Sequence, residues 1–426
     1  MRILDVYLKG ELVGKLTSDA ATLSFSYEKK YLDSGTPTKL SASLPLQEEK
    51  FDHHDTNSFF SGLLPDAHVR EKLAQILKVS KQNTFSLLER IGGECAGAIS
   101  LHAEGVTPAD ASETEYKVLG DDEADEILST LDRHPMLADD DDIRISGAGA
   151  QDKLMISFVG GKVAIPMGST PSTHIIKPAI QKETQGLIIS DSVHNEFFCM
   201  RLAKEVGLPV PEVKILWIKD KPYYVIERYD REIDNGRIKR LHQEDFCQAL
   251  HIPPEMKYQN DGGPSLENCF DLLSARIKSG SMSGVNKIVL LQCVIFNFLV
   301  GNGDAHGKNF SILYKDDYEE LSPFYDILST LVYANAHTEK MAMKLGTKYK
   351  FKEVSLRHII SFGESVGFKE DFIKKQVHMM AKMRIVSAAQ KLHAELDESK
   401  FTRSPIYEKI IAVISKNSRQ VLRGIS

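Results

Sequence analysis

Residues 299–313 read LVGNGDAHGKNFSIL. This stretch ends an apolar run that begins at Ile288, and it sets Asp304, His306, Lys308 and Asn309 among Gly301, Gly303 and Gly307. Charge near a core is costly unless it is paired or holds a cation, so a polar knot here is either a turn or a site. Phosphoryl transfer gives the pattern a use. A catalytic-loop Asp accepts or orients the proton of the attacking hydroxyl, and an Asn five residues on ligates magnesium, the separation of Asp304 and Asn309. That spacing also arises by chance. Downstream, FSILYK, the turn DDYEE and LSPFYD read as a hairpin whose return strand brings Asp326 beside Asn309 as a second magnesium ligand. Magnesium needs only one or two carboxylates when phosphate oxygens complete its shell.

Sequence order strengthens the assignment. Upstream lie a glycine-rich turn, SGAGAQDK (Ser146 to Lys153), then Lys177 in the strand-like HIIKP, then Glu196 on an amphipathic stretch, then IERYD as a linker. Backbone amides of a glycine turn can wrap phosphates, and a strand Lys held by a helix Glu can grip them. Each element alone has an ordinary alternative: a hairpin turn, a solvent lysine, an exposed helix residue. Their shared order favours the site. His306 either orients Asp304, touches phosphate or makes a structural hydrogen bond. A hydrolase metal site at DAH would leave the glycine turn and Lys177 unexplained, and His53 and His54 lack further ligands and read as surface residues.

Composition sets the bounds. At 426 residues and 42% hydrophobic, the chain can bury a large core in two or three domains. A net charge of −6 gives no overall positive field, so contact with nucleic acid would need a local patch or a partner. Cys95, Cys199, Cys247, Cys269 and Cys293 are scattered and odd in number, as expected of reduced thiols in a cytoplasm. Asp5, Lys9 and Glu11 interrupt the N-terminus before any export signal, and the most apolar segment, 288–300, is too short and polar to span a membrane. Short β-patterned runs fill residues 1 to about 100, with a hairpin at Lys9 and Gly10. An acidic, loop-rich stretch follows, including the Asp139 to Asp142 run, which reads as a solvated face. Strands dominate to about 230 and helices thereafter. The expected fold is α+β and two-lobed, protein-kinase-like, with domains at 1–120, 121–232 and 233–426.

RISGAGAQDK, THIIKP, ERYDR, QEDFCQ, KYQNDGGP, GNGDAHGKNFSIL and SPFYDILS, with FFSGLLPD at 59–66, together resemble the HipA family of serine/threonine kinase toxins from bacterial toxin–antitoxin modules. The likeness runs along nearly the whole chain. It implies a fold related to lipid and protein kinases, with an added β-rich N-terminal subdomain and a mainly helical C-terminal lobe. It further implies ATP and Mg2+ as cofactors, and a translation component, typically an aminoacyl-tRNA synthetase, as the protein substrate. Growth arrest and persistence would follow. A small helix-turn-helix antitoxin of the HipB type would restrain the kinase, and the pair would bind operator DNA. Carried onto this sequence, the resemblance makes Asp304 the catalytic Asp, Asn309 and Asp326 the metal ligands and Lys177 the phosphate-gripping Lys. Ala148, Gly149, Ala150, Gln151, Asp152 and Lys153 would form the nucleotide loop; Glu227, Arg228 and Tyr229 would meet the adenine at the hinge. His306, Gly307, Lys308 and Tyr325 would complete the nucleotide contacts, and Ser146 would be the autophosphorylated serine.

Two features set this sequence apart. Gly147 introduces a flexible residue beside Ser146, and Glu364 places negative charge where a DNA-touching helix would benefit from positive, so DNA readout is expected of the antitoxin. Two other functions fit part of the pattern. A small-molecule or lipid phosphotransferase would use the same Asp-to-Asn loop, and a catalytically dead corepressor would be expected to have lost one of Lys177, Asp304, Asn309 or Asp326.

Overall fold

The computed structural model describes the chain except residues 20–21, 109–113, 139–142, 185–186, 190, 235–236, 334–338 and 424–426. The Asp139 to Asp142 run therefore lies outside the described residues. Two compact units emerge, each discontinuous in sequence: Met1–Pro178 with Glu227–Met256 and Ser311–Asp316, and Ala179–Ile226 with Lys257–Phe310 and Asp317–Ser426. These units cut across the contiguous ranges 121–232 and 233–426.

The first unit begins with an antiparallel sheet in the order Thr22–Tyr27, Glu11–Asp19, Arg2–Leu8, Ile99–Ala103. The Arg2–Leu8 and Glu11–Asp19 strands turn at Lys9 (φ 52°) and Gly10 (φ 84°), the paired positive φ values of a tight hairpin. Gly14 is required by packing, since a Cβ there would stand 2.5 Å from the Ser26 carbonyl oxygen and 2.6 Å from the Phe25 ring. Leu4, Val6 and Leu8 point into a core that the His53–Gly62 helix closes with Phe59 and Phe60, the latter 5.5 Å from Phe25 between ring centres. Each fully buried aromatic here contributes about 1.5–3 kcal/mol of transfer energy. The same unit holds the antiparallel strands Tyr116–Val118, Lys162–Pro166, Leu154–Val159 and His174–Pro178, paired in that order.

A buried ionic network ties distant parts of this unit together. Glu94 accepts hydrogen bonds from Ser172, Arg228 (3.1 Å) and Arg231 (2.9 Å). Asp230 accepts from the Gly97 amide (2.7 Å), Arg228 (2.8 Å) and Gln243 (3.1 Å), while Arg240 donates to the carbonyls of Cys95, Gly97 and Ile99. Burial opposes ionisation of both acids, yet Arg228 and Arg231 outweigh it and hold the Glu94 and Asp230 carboxyls below the usual range. Burial, with Arg231 adding to it, lowers Arg240 to about 10, which leaves it charged at neutral pH.

In the second unit, Val213–Ile218 forms a hairpin with the Lys221–Glu227 strand as far as Ile226, and helices carry most of the remainder. The Leu266–Ser279 helix starts on a Ser265–Asn268 capping box and ends at Gly280 in the left-handed region, as Ser and Gly at these positions favour. The Val285–Val300 helix is buried through its C-terminal two-thirds, as its apolar composition demands. Asn417 of the Ile406–Leu422 helix donates to the carbonyls of Phe298 (3.0 Å) and Leu299 (3.3 Å) in the last turn of the Val285–Val300 helix, where carbonyls run out of intrahelical donors. Among the described residues, no helix is long and apolar enough to cross a membrane. All five cysteines are buried free thiols.

Removing one partner of the ionic network strands the others. Asp230→Asn is expected to lower unfolding free energy at pH 7 by about 3 kcal/mol. Because the folded carboxyl values are depressed, the network's contribution is complete above the unfolded carboxylate range near pH ~4 and is lost as pH falls through the folded values. Urea unfolding at a series of pH values checks both points: the deficit of the variant should shrink as the solution is acidified through that window.

Candidate functional site

The sequence puzzle at Leu299 to Leu313 has a geometric answer. The Val285–Val300 helix ends in a Schellman turn, with the Asn302 amide donating to the Asn297 carbonyl (2.8 Å) and the Gly301 amide to that of Phe298 (3.2 Å). Gly301 adopts φ 76°, open to glycine at little cost. The chain then turns sharply. The Asn302 side chain spans the corner, donating to Asn297 Oδ1 (3.0 Å) and accepting the Asp304 amide (3.0 Å).

Asp304 is half exposed, and its Oδ1 accepts the Tyr258 hydroxyl at 2.6 Å. That bond fixes the carboxylate and leaves its other oxygen available to accept a proton. The Asp304 carbonyl accepts the His306 amide (2.7 Å) and Asn309 Nδ2 (2.8 Å), so Asp304 and Asn309 are brought together. With Nδ2 engaged, Asn309 Oδ1 remains as a hard oxygen donor. His306 Nε2 lies 3.9 Å from Asp304 Oδ1, too long for a hydrogen bond, and its ring meets the Tyr258 ring edge-on at 5.0 Å. Lys308 is buried; its carbonyl accepts the Tyr325 hydroxyl at 2.8 Å. Asp326, next in the chain, has φ 53°, a left-handed conformation that Asp adopts more readily than most side chains.

Asp326 does not lie on a return strand. The strand Glu319–Leu321 ends well before it, and the residue sits in irregular backbone. In chemical type, an amide oxygen from Asn309 and a carboxylate from Asp326 are the hard donors that a magnesium ion takes. Such an ion would neutralise phosphate charge, while the chain's own part is to aim Asp304 and hold these donors. Glu196, in the Ser192–Glu205 helix of the same unit, is buried rather than exposed.

In the first unit, Ser146 is buried and its hydroxyl donates to the Leu63 carbonyl (2.7 Å), while its amide donates to the Glu94 carbonyl (2.8 Å). The glycine turn continues with the Asp66 amide donating to the Gly149 carbonyl (3.0 Å) and Lys153 Nζ to the Ala148 carbonyl (2.7 Å). Gly149 has φ 107°, and a Cβ there would fall 2.5 Å from Lys153 Nζ. Gly147 serves packing more than flexibility: a Cβ would lie 1.8 Å from the Met155 methyl. Gln151 donates to the Pro178 carbonyl (3.3 Å), and Asp152 lies 3.7 Å from His68. Lys177 is buried in the His174–Pro178 strand. At the expected hinge, Glu227 is exposed and Tyr229 donates to Gln243, but the Arg228 guanidinium is committed to Glu94 and Asp230. Only the main chain of Arg228 is left to meet a nucleotide.

Tyr258 and Asn302 carried no role in the sequence. Both lie inside quoted motifs, KYQNDGGP and GNGDAHGKN, so the signal was present without its geometry.

The family model for a HipA N-terminal domain matches residues 4–102, and that for a HipA-like C-terminal domain matches residues 145–390. The Y4mE protein of Sinorhizobium fredii is 40% identical over 382 residues, covering 88% of this chain and 89% of that protein. The serine/threonine-protein kinase toxin HipA of Shewanella oneidensis is 30% identical over 393 residues, 89% of this chain and 87% of the toxin. A solved complex of HipA, HipB and operator DNA from Shewanella oneidensis MR-1 contains a chain that superposes with a TM-score of 0.80 at 27% identity, over 99% of this chain and 97% of that one. The fold is the α+β, kinase-like fold expected from the sequence. The chain belongs to the HipA family.

Asn302→Ala would leave the Asp304 amide and Asn297 Oδ1 without their partner. Thermal or urea unfolding of the full chain should register a loss of about 1–3 kcal/mol, the cost of stranding buried polar groups.

Proposed function

We propose that the chain is an ATP- and Mg2+-dependent protein serine/threonine kinase, the toxin of a type II toxin–antitoxin module. The observation that carries this is Asp304, held by Tyr258 and Asn302 with Asn309 bonded to its own carbonyl: a proton-accepting carboxylate beside a hard metal donor. Asp304 accepts or orients the hydroxyl proton of the protein substrate, and Asn309 and Asp326 hold the metal on the phosphates. Lys177 and the loop from Ala148 to Lys153 grip the nucleotide, and the backbone from Glu227 to Tyr229 meets the adenine. His306, Gly307, Lys308 and Tyr325 support these contacts. Membership in the family supports a translation component as substrate, with growth arrest and persistence as the outcome, in the cytoplasm. The Shewanella complex supports an antitoxin of the HipB type, through which the pair reads operator DNA.

Ser146 is the proposed site of autophosphorylation. Its hydroxyl is buried on the Leu63 carbonyl, so the loop must leave that position before the serine reaches a phosphate donor. Once modified, the side chain carries close to two negative charges and cannot return to a buried carbonyl acceptor, which keeps the nucleotide loop displaced.

Intact-mass analysis after incubation with ATP and magnesium tests the assignment. Wild type should gain phosphate and Asp304→Asn should not, while remaining folded; equal gain in both would remove Asp304 from catalysis. Tyr258→Phe should fold normally and turn over about tenfold more slowly, the loss of one hydrogen bond to a charged group. Turnover indistinguishable from wild type would mean that Asp304 needs no such anchor.

A further inference from the structure

Gly303 poses a question that the catalytic assignment leaves open. It has no positive φ, yet a Cβ on it would fall 2.7 Å from the Lys340 carbonyl oxygen and 2.8 Å from Thr330 Oγ1. Gly301 is crowded by the same segment, since its Cβ would stand 2.9 Å from Leu331. Both glycines therefore admit the Thr330 and Leu331 side chains against the turn that carries Asp304.

The contact is specific. The Thr330 hydroxyl accepts the Gly303 amide (2.8 Å) and donates to the Gly301 carbonyl (3.1 Å), using both of its capacities. The same Gly301 carbonyl accepts the amides of Thr330 (2.9 Å) and Leu331 (3.1 Å). One residue back, Ser329 is gripped by the fully buried Asn195, whose Oδ1 accepts the Ser329 amide (2.8 Å) and whose Nδ2 donates to its carbonyl (2.9 Å). Tyr333 adds a hydrogen bond to Asp191 at 2.6 Å. On the other flank of the left-handed Asp326, Tyr325 is held by the Lys308 carbonyl. Asp326 thus sits in a segment fixed at both ends, and Thr330 joins that segment to the amide of Gly303, the residue immediately before Asp304.

We propose that Thr330 is a positioning residue that sets Asp304 against the Asp326 segment, with Asn195 anchoring the dipeptide from the Ser192–Glu205 helix. This rests on the kinase assignment and adds residues to it. The Thr330 hydroxyl is engaged by the Gly303 amide and the Gly301 carbonyl, so its effect should fall on turnover rather than on nucleotide affinity.

Two substitutions in the full-length chain separate hydroxyl from methyl. Thr330→Val keeps shape and removes the hydroxyl; Thr330→Ser keeps the hydroxyl and removes the methyl. Thr330→Val should lower kcat for Mg·ATP turnover by about tenfold or more, with KM for ATP within about twofold, and Thr330→Ser should stay within about threefold of wild type. Wild-type kcat in Thr330→Val, or a loss in Thr330→Ser as large as in Thr330→Val, would overturn the proposal in favour of plain packing. Should Thr330→Val lack a cooperative unfolding transition, Asn195→Asp decides. It presents an oxygen to the Ser329 carbonyl in place of the amide donor, and should reduce kcat with KM unmoved; wild-type kcat in it would overturn the proposal. Wild type serves as the control for the underlying assignment. If wild type itself fails to turn over Mg·ATP, the kinase assignment falls and this inference with it, whereas an active wild type matched by Thr330→Val removes the inference alone.

Discussion

The turn that ends the Val285–Val300 helix is the constraint on which the candidate chemistry rests. A helix end must dispose of unpaired carbonyls, and a carboxylate placed just beyond it must be aimed without being buried. Here one short turn does both. Gly301 closes the helix in the left-handed region, Asn417 satisfies the carbonyls of Phe298 and Leu299, and Asn302 passes the rigidity of the helix to the Asp304 amide. Tyr258 then fixes the carboxylate and Asn309 the carbonyl of the same residue. Asp304 is held at three atoms while remaining half exposed, which is what a proton acceptor for an incoming hydroxyl requires.

The first unit solves a different problem by a different device. Residues 94–99, Ser172 and the Arg228–Gln243 stretch are far apart in sequence and meet around buried charge. Glu94 and Asp230 face Arg228, Arg231 and Arg240, with hydrogen bonds filling most of the remaining capacity. Apolar packing of equal volume could be as stable, but it would specify the register of the ERYDR segment less sharply. The network also reaches the glycine turn, since the Glu94 carbonyl accepts the Ser146 amide.

Local features of the fold were legible because their causes are local. The Lys9 and Gly10 hairpin and the strand holding Lys177 follow from turn chemistry and periodicity within a few residues. The irregular backbone at Asp326 was not legible, because LSPFYD follows a turn and reads as a return strand, while the groups that hold the flanking Tyr325 and Ser329, Lys308 and Asn195, lie elsewhere in the sequence. Nor was the fate of Arg228. In sequence it is one residue of a linker, and only folding brings Glu94, 134 positions away, to its guanidinium. Tyr258 is a similar case, 46 positions from the carboxylate it orients. Candidate site residues could thus be nominated from spacing and resemblance, whereas the residues that hold them needed three dimensions.

The most direct measurement is a crystal structure of the full chain with a non-hydrolysable ATP analogue and Mn2+ in place of magnesium, located by its anomalous signal. The account predicts a metal peak coordinated by Asn309 Oδ1, an Asp326 carboxylate oxygen and phosphate oxygens, with Asp304 still bonded to Tyr258 and facing the terminal phosphate. A metal and nucleotide bound elsewhere, with Asn309 and Asp326 uncoordinated, would contradict it.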